Sequence, residues 1–464
     1  MKKINIFILT LSLLLCTILP ACAKQPKDKN KEDYKLEYLN LKWWQKYNDP
    51  TLNQYLIKAF ENNQDLKIAS LNVKQSQQVV KESFAQQLPH FGIQGNIFRD
   101  LQSSDTKLGD VIINDYSQSN FVLPLTMTYE FDIWGENYLK TKAVKKQVEM
   151  IKQNERATYI ALTSAIASQY FNFIKIDKLL KNQEELVKLQ TELVRMTEIK
   201  YNNGLAPITE LLAEKQILTT FKEELNSYRD MQLVIGRQLG VLTGQREVDN
   251  KYLPRNDYNK LTLIDIPDSI SAEVIQFRPD LIKTEDYIEK IGIDVRVAKR
   301  DFLPKFLIYG QVGFNAYQLT NIFGNHTFKS NIGFMPSLDL FTGGAKMAHF
   351  RYKKLEYEKA QQIYEKTILT SIQEVNNSLS SAITAKENYE QSKKRFALAK
   401  DEYNLSDRKY QIGAKSKMDN MRAKEALLLA EKSDVSNKIN YEIATVNIYK
   451  AIGGKDYTTV NEEL

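Results

Sequence analysis

The sequence predicts a mainly α-helical protein with a transmembrane β part, built from two tandem structural repeats, and three observations carry that prediction. First, residues 51–244 align with 266–453: "QLPHFGIQG" (87–95) matches "FLPKFLIYG" (302–310), and "KYNNGLAPITE" (200–210) matches "KYQIGAKSKMD" (409–419). Self-similarity on this scale marks two versions of one unit. Second, each unit holds a run of 68 residues with neither Gly nor Pro, between Gly135 and Gly204 and again between Gly344 and Gly413. Third, every odd position from 121 to 133 is apolar while Thr126, Thr128, Glu130 and Asp132 take the even side, which is the period of a strand with two unlike faces.

The chain opens with Lys2 and Lys3 and an apolar stretch from Ile4 to Ile18, too short to span a bilayer as a helix and suited to an export signal over 1–21. Leu19-Pro20-Ala21-Cys22 has the form of a lipoprotein box, in which the Cys22 thiol is acylated and becomes the new N-terminus. Cleavage after Ala23 is the other reading, because Ala21-Cys22-Ala23 also fits a small-x-small signal. Acyl chains would hold the segment 22–50 at a membrane surface through their buried methylenes, and with Ala23 after the cysteine the resemblance to a lipoprotein box implies sorting to the outer membrane.

Within repeat 1, strands are expected over about 91–101 and 121–133, and long helices over about 136–203 and 208–243. Repeat 2 should carry strands over about 306–316 and 331–342 and helices over about 345–412 and 416–452. A run of 68 residues as one helix reaches about 100 Å. Leu186, Leu189, Leu193 and Met196 recur at 3/4 spacing, as a packed seam requires. Gly204 and Gly413 suit left-handed helix ends, and Pro207 suits the start of a return helix. Residues 245–265 join the repeats, and 454–464 form a tail.

Four strands cannot close a barrel, and an open edge in lipid leaves backbone groups unpaired at several kcal/mol each. If the strands cross a membrane, the protomer must therefore assemble; a soluble four-stranded sheet is the alternative. Trp134 ends the strongest strand, where it fits either an aromatic belt or ordinary packing.

Composition narrows the chemistry. A formal charge of +7 is spread over a chain that is 26% charged, with no basic block for nucleic acid. Of two cysteines, Cys16 leaves with the leader, so no internal disulfide or thiolate metal site is expected. His90, His326 and His349 lack ligand spacing, and "FTGGAK" lacks the spacing of a phosphate cradle. No catalytic constellation, metal site or cofactor site is expected.

Seven stretches occur in a characteristic order: "WWQKYNDPTL" (43–52), "NNQDLKIA" (62–69), "FDIWG" (131–135), "KYNNGLAPITE" (200–210), "RPDL" (278–281), "DLFTGG" (339–344) and "KYQIGAKSKMD" (409–419). In these the chain resembles outer-membrane efflux proteins of the TolC superfamily, nearer to the lipidated OprM/NodT branch, over nearly the whole mature length. The resemblance implies a homotrimer with a twelve-stranded β-barrel, four strands per protomer, set among outer-membrane lipids and continued by a long α-helical barrel. Residues 41–50, 245–265 and the tail would surround that tunnel at its equator. It also implies a passive duct for drugs or other small toxic compounds, fed by a periplasmic adaptor and an inner-membrane pump of the resistance-nodulation-division type. Type I protein secretion, metal-ion efflux and a non-channel structural or adaptor lipoprotein are the alternatives.

By the same resemblance the helical tips carry the periplasmic gate and the adaptor contacts. Asp419 lies where family members place a pore-constricting aspartate, and Glu210 is its counterpart in the first repeat. Lys415 and Arg422 are candidate counter-charges, although Arg422 stands where relatives often have a second aspartate. Tyr201 and Tyr410 either bond across neighbouring tips or pack in the seam, while Gly204, Leu205, Gly413 and Ala414 form the docking turns. Two readings of the acids are open, because Ser416-x-x-Asp419 resembles a capping box and Glu210 lies in a first helical turn.

Overall fold

The computed structural model describes residues 43–102, 106–108, 111–113, 116–245, 253–267 and 269–454. In chain order it contains α1 (Pro50–Asn62), α2 (Gln64–Ala85), β1 (His90–Ile93), β2 (Asn96–Gln102), β3 (Thr106–Leu108), β4 (Val111–Ile113) and β5 (Tyr116–Glu130). Then follow α3 (Glu136–Asn202), α4 (Ile208–Leu242), α5 (Pro279–Arg300), β6 (Lys305–Ala316), β7 (Phe328–Ser337), α6 (Ala345–Gln411) and α7 (Lys417–Ala451). Cys22 and the tail 455–464 lie outside the described residues.

The main sheet is an antiparallel meander in the order β1-β5-β6-β7, and β2 also pairs with β5. Thus β1 and β2 share one column, and the sheet is four columns wide. The expected strand over 91–101 is split at Gln94 and Gly95, which face Leu123 and Pro124 across the ladder. Pro124 has no N–H to donate to that edge, so the pairing lapses there. On its other side Pro124 faces Gly313, where a Cβ would come within 2.2 Å of the Leu123 carbonyl oxygen. Only glycine fits beside this proline.

Two strands end earlier than the alternation suggests. After Glu130 the chain turns, and the Asp132 carboxylate accepts the backbone N–H groups of Glu136 (2.6 Å) and Tyr138 (3.0 Å) at the start of α3. An alternating polar residue is thus recruited as a helix cap. Strand β7 stops at Ser337, opposite Lys305 at the start of β6, so Leu338–Phe341 have no ladder partner in the sheet despite their apolar character.

The register sorts side chains into two faces. Rows such as Phe91/Met127/Gly310/Ile332 and Ile93/Leu125/Val312/Ser330 run across all four columns, and Tyr129/Ile308/Phe334 lies beside them. The opposite face carries Thr126, Thr128, Gln311, Asn331 and Lys329. No described helix packs on the sheet, and Ile332 is 79% exposed on the apolar face. An uncovered apolar face over a sheet this wide calls for lipid.

Below the sheet the helices lie in four columns. Helix α3 is flanked on one side by α2 and α4 and on the other by α5 and α7, which in turn touch α6. The two shorter helices in a column meet end to end. Asn63, the N-cap of α2, donates from Nδ2 to the Leu242 carbonyl at the end of α4 (3.0 Å). Arg278, ahead of α5, donates from Nη1 to the Ala451 carbonyl at the end of α7 (2.5 Å). A side-chain donor thereby satisfies a helix-terminal carbonyl in each repeat.

The core lies about the middle of α3. Tyr170, Phe171 and Phe173 are fully buried with Trp43, Tyr47, Leu52, Leu56, Ile266 and Tyr449, and each such side chain contributes roughly 1.5–3 kcal/mol. Asp49 organises the surrounding segments: it caps α1 through the Thr51 and Leu52 N–H groups, and accepts from the Tyr170 hydroxyl (2.7 Å) and Asn256 Nδ2 (3.3 Å). The "WWQKYNDPTL" stretch therefore packs, with the described residues 253–267, onto α3.

Candidate functional site

The far ends of the helical columns are the α3–α4 and α6–α7 turns, and both are built alike. At the first, the Gly204 N–H reaches the Tyr201 carbonyl (2.9 Å) and the Leu205 N–H reaches Lys200 (2.8 Å). At the second, Gly413 reaches Tyr410 (3.0 Å) and Ala414 reaches Lys409 (2.8 Å). These are Schellman ends, with glycine at φ 68° and 77°. Next to each glycine the chain projects a bare apolar contact: Leu205, just after Gly204, is 78% exposed and Ile412, just before Gly413, 79%.

Asp419 is engaged within its own turn. Its N–H donates to Ser416 Oγ (3.1 Å), and that hydroxyl donates to Asp419 Oδ2 (2.6 Å), so Asp419 closes the cap of α7. Glu210 is half-buried in the first turn of α4, its N–H donating to the Pro207 carbonyl (3.1 Å). Tyr201 and Tyr410 are each 40% exposed. Lys415 makes no ion pair among the described residues.

The expectation that Arg422 answers Asp419 is not met within the protomer. Arg422 Nη2 instead donates to Glu214 Oε1 at 2.6 Å, bridging α7 to α4. Glu214 is only 4% exposed and also accepts from Gln190 Nε2 of α3 at 2.6 Å, so three helices meet at one carboxylate. A buried acid needs such partners, and Arg422 supplies one to Glu214 rather than to Asp419. A second bridge repeats the pattern: Lys432 donates to Glu224 (2.7 Å) and to Gln183 Oε1 (3.4 Å). Lower down, Lys417 and Arg195 both hold Glu192 (2.8 Å each), keeping its carboxyl well below the usual range. Glu425 is pushed up by burial and by the Glu214 charge.

Glu214 and Gln190 have no local motif. Their signal is a charge pattern across the repeats: Glu214/Arg422 and Glu224/Lys432 are both 208 residues apart, close to the offset of the tips themselves. At the other end of the columns, Trp134 donates from Nε1 to the Pro304 carbonyl (2.7 Å) and its ring lies 6.5 Å from that of Phe306, on the apolar side of the sheet.

Comparisons with known proteins fit this geometry. The profile of the outer membrane efflux protein family matches residues 56–245 and 270–454, one match per repeat. The toluene efflux pump outer membrane protein TtgC of Pseudomonas putida is 24% identical over 420 residues, covering 89% of this chain and 85% of the relative. The pyoverdine export outer membrane protein OpmQ of Pseudomonas aeruginosa is 24% identical over 424 residues, covering 89% and 87%. Among solved structures, the Campylobacter jejuni CmeC outer membrane channel superposes with a TM-score of 0.79 at 23% identity, covering 91% of each chain. Vibrio cholerae VceC gives 0.75 at 19%, covering 89% and 98%. With an uncovered apolar sheet continued by paired helical hairpins, the chain belongs to the outer membrane efflux protein family and serves as an outer-membrane efflux channel.

Proposed function

We propose that three protomers close into a ring, giving a twelve-stranded barrel in the outer membrane and a helical tunnel into the periplasm. The observation that carries this is the pair of open edges. One side of the protomer presents β1 and β2 above α2 and α4; the other presents β7 above α6. Unlike edges of one chain join head to tail, and a head-to-tail contact that closes makes a ring. Leu355, Leu369, Leu398 and Leu405 of α6, each 54–70% exposed, supply the apolar seam for the next protomer.

The tunnel conducts passively. Its cargo is drugs or other small toxic compounds, delivered by an inner-membrane pump of the resistance-nodulation-division type through a periplasmic adaptor. The adaptor docks on the six turns containing Gly204, Leu205, Gly413 and Ala414. Asp419, Glu210, Lys415, Arg422, Tyr410 and Tyr201 surround the mouth, and the Arg422–Glu214 bridge holds the second hairpin against the first. Opening the mouth requires that bridge to part. An acyl anchor on Cys22 and Trp134 at the membrane boundary fix the protein at its level.

Cross-linking of outer membranes should give a ladder ending at three protomers, and the purified oligomer should form channels in planar bilayers. A single water-soluble chain released by salt would overturn this reading.

A further inference from the structure

We propose that the outward side of the helical layer, in the turns next to the sheet, binds the headgroups of anionic phospholipids in the inner leaflet of the outer membrane. The inference rests on the sheet lying in the bilayer and goes beyond it by naming a lipid site.

Backbone chirality tells which side of the helical layer is the outside. In β5 the odd residues aim side chains at the apolar face and backbone groups at β6, since the Phe131 N–H donates to the Phe306 carbonyl. The even residues address the β1 edge, since the Pro124 carbonyl accepts from Gln94. For L-residues this fixes the hand: seen from the apolar side with the helices below, β6 lies left of β5, and α5 left of α3. Helix α3 descends in a right-handed turn, with Leu139, Ala143 and Lys146 against α5 and Thr141 against α2. Its outward residues are therefore Tyr138, Lys142 and Lys145. The same construction turns Arg296 and Lys299 of α5 and Lys354 of α6 outward, and all of these are exposed.

Lys142, Arg296 and Lys354, from three adjacent columns, converge on one cavity of about 700 Å³. Its floor is apolar or small, with Gly292, Ile293 and Val295 beside the Tyr357 ring. Gly292 lets that ring approach, a Cβ there meeting Tyr357 Cε2 at 3.5 Å. Two acids also line the cavity. Glu289 pairs at 2.6 Å with Lys146, which also holds Asp286 at 2.9 Å, and Glu358 lies a turn farther from the sheet than Lys354. None of the three cations has an ion-pair partner among the described residues; Lys354 rests over the Phe350 ring.

The height suits a headgroup. Lys142 lies about 10 Å and Lys354 about 14 Å below the start of its helix. Side chains on α3 and α6 lean back toward their N-termini, which is toward the membrane, and lysine stems let the charge rise farther. The polar layer of a bilayer extends roughly 5–8 Å beyond the hydrocarbon. Two lysines whose stems rise toward that layer, with Arg296 beside them over an apolar floor, match a phosphate-bearing headgroup with its first methylenes.

The test uses the purified, detergent-solubilised oligomer, incubated with cardiolipin or with phosphatidylethanolamine and read by native mass spectrometry. The wild-type protein should retain cardiolipin preferentially. Lys142→Gln/Arg296→Gln/Lys354→Gln should weaken cardiolipin retention by at least about tenfold, each cation at an anionic surface being worth roughly fivefold. Phosphatidylethanolamine retention should stay unchanged. The charge-keeping set Lys142→Arg/Arg296→Lys/Lys354→Arg should retain cardiolipin, as should Lys394→Gln/Lys400→Gln, exposed lysines farther down α6. Equal retention of both lipids by the wild type, or undiminished cardiolipin on the neutralised variant, would overturn the proposal. Conductance of the same wild-type preparation in planar bilayers reports separately on the channel, so its failure is told apart from failure of the lipid site.

Discussion

Helices α3 and α6 are both 67 residues long and hold equivalent places in their repeats, yet they are packed very differently. Buried side chains run along α3 from Glu136 to Thr197, many of them large. Helix α6 buries only Ala360, Ser371, Val375, Ala382, Ser392 and Ser406. The reason is position: α3 has a column on either side within the chain, whereas α6 has one. Small buried residues let α6 lie close against its single neighbours, and its larger apolar residues face outward. The lesson is that duplication copied the architecture while burial was set by which neighbour the same chain supplies.

Five variants break or sharpen that contrast. Phe173→Ala, in the sealed middle of α3, should have the largest effect, about 3–5 kcal/mol, seen as collapse of the thermal midpoint of helical circular dichroism. Next is Glu442, fully buried beside Tyr47 and Lys438 on α7, whose carboxyl is pushed up to about 8 by burial. Its folded value exceeds the unfolded one near 4.3, so its contribution is fully present below about pH 4 and is lost as pH rises through 8. The thermal midpoint should fall over that window by the equivalent of a few kcal/mol, and Glu442→Gln should flatten the profile; an unchanged slope would refute the assignment.

Effects at the open side should be smaller for the protomer and larger for the ring. Leu398→Asp/Leu405→Asp should shift protomer stability by only about 0.5 kcal/mol while abolishing the heat-resistant oligomer on gels. At the tips the change in stability is modest. Arg422→Ala should cost about 1–2 kcal/mol by leaving Glu214 short of a partner. Both Arg422→Ala and Asp419→Ala should raise single-channel conductance in planar bilayers; if Asp419→Ala only lowers thermal stability, its role is the cap it makes with Ser416.

Long helices were legible because their ends are written in glycine, which the left-handed turns require, and because nothing between those ends interrupts them. Strand ends were less so. A strand lasts only as long as a partner pairs with it, and neither the gap opposite Pro124 nor the unpaired Leu338–Phe341 stretch is visible from alternation alone. At the tips, Ser416 and Asp419 were readable as a local cap because they are three residues apart. Glu214 was not, since its partners Gln190 and Arg422 come from other helices and only the three-dimensional fold brings them together.

The end-to-end joints at Asn63 and Arg278 have a mechanical consequence. Of the four columns only α3 and α6 have unbroken backbone from sheet to tip; the others are stacked pieces touching through a side-chain donor. Stacked pieces resist compression but not torsion. Any swivel applied at the tips must therefore be carried toward the sheet by two continuous rods, while the jointed columns slip beside them.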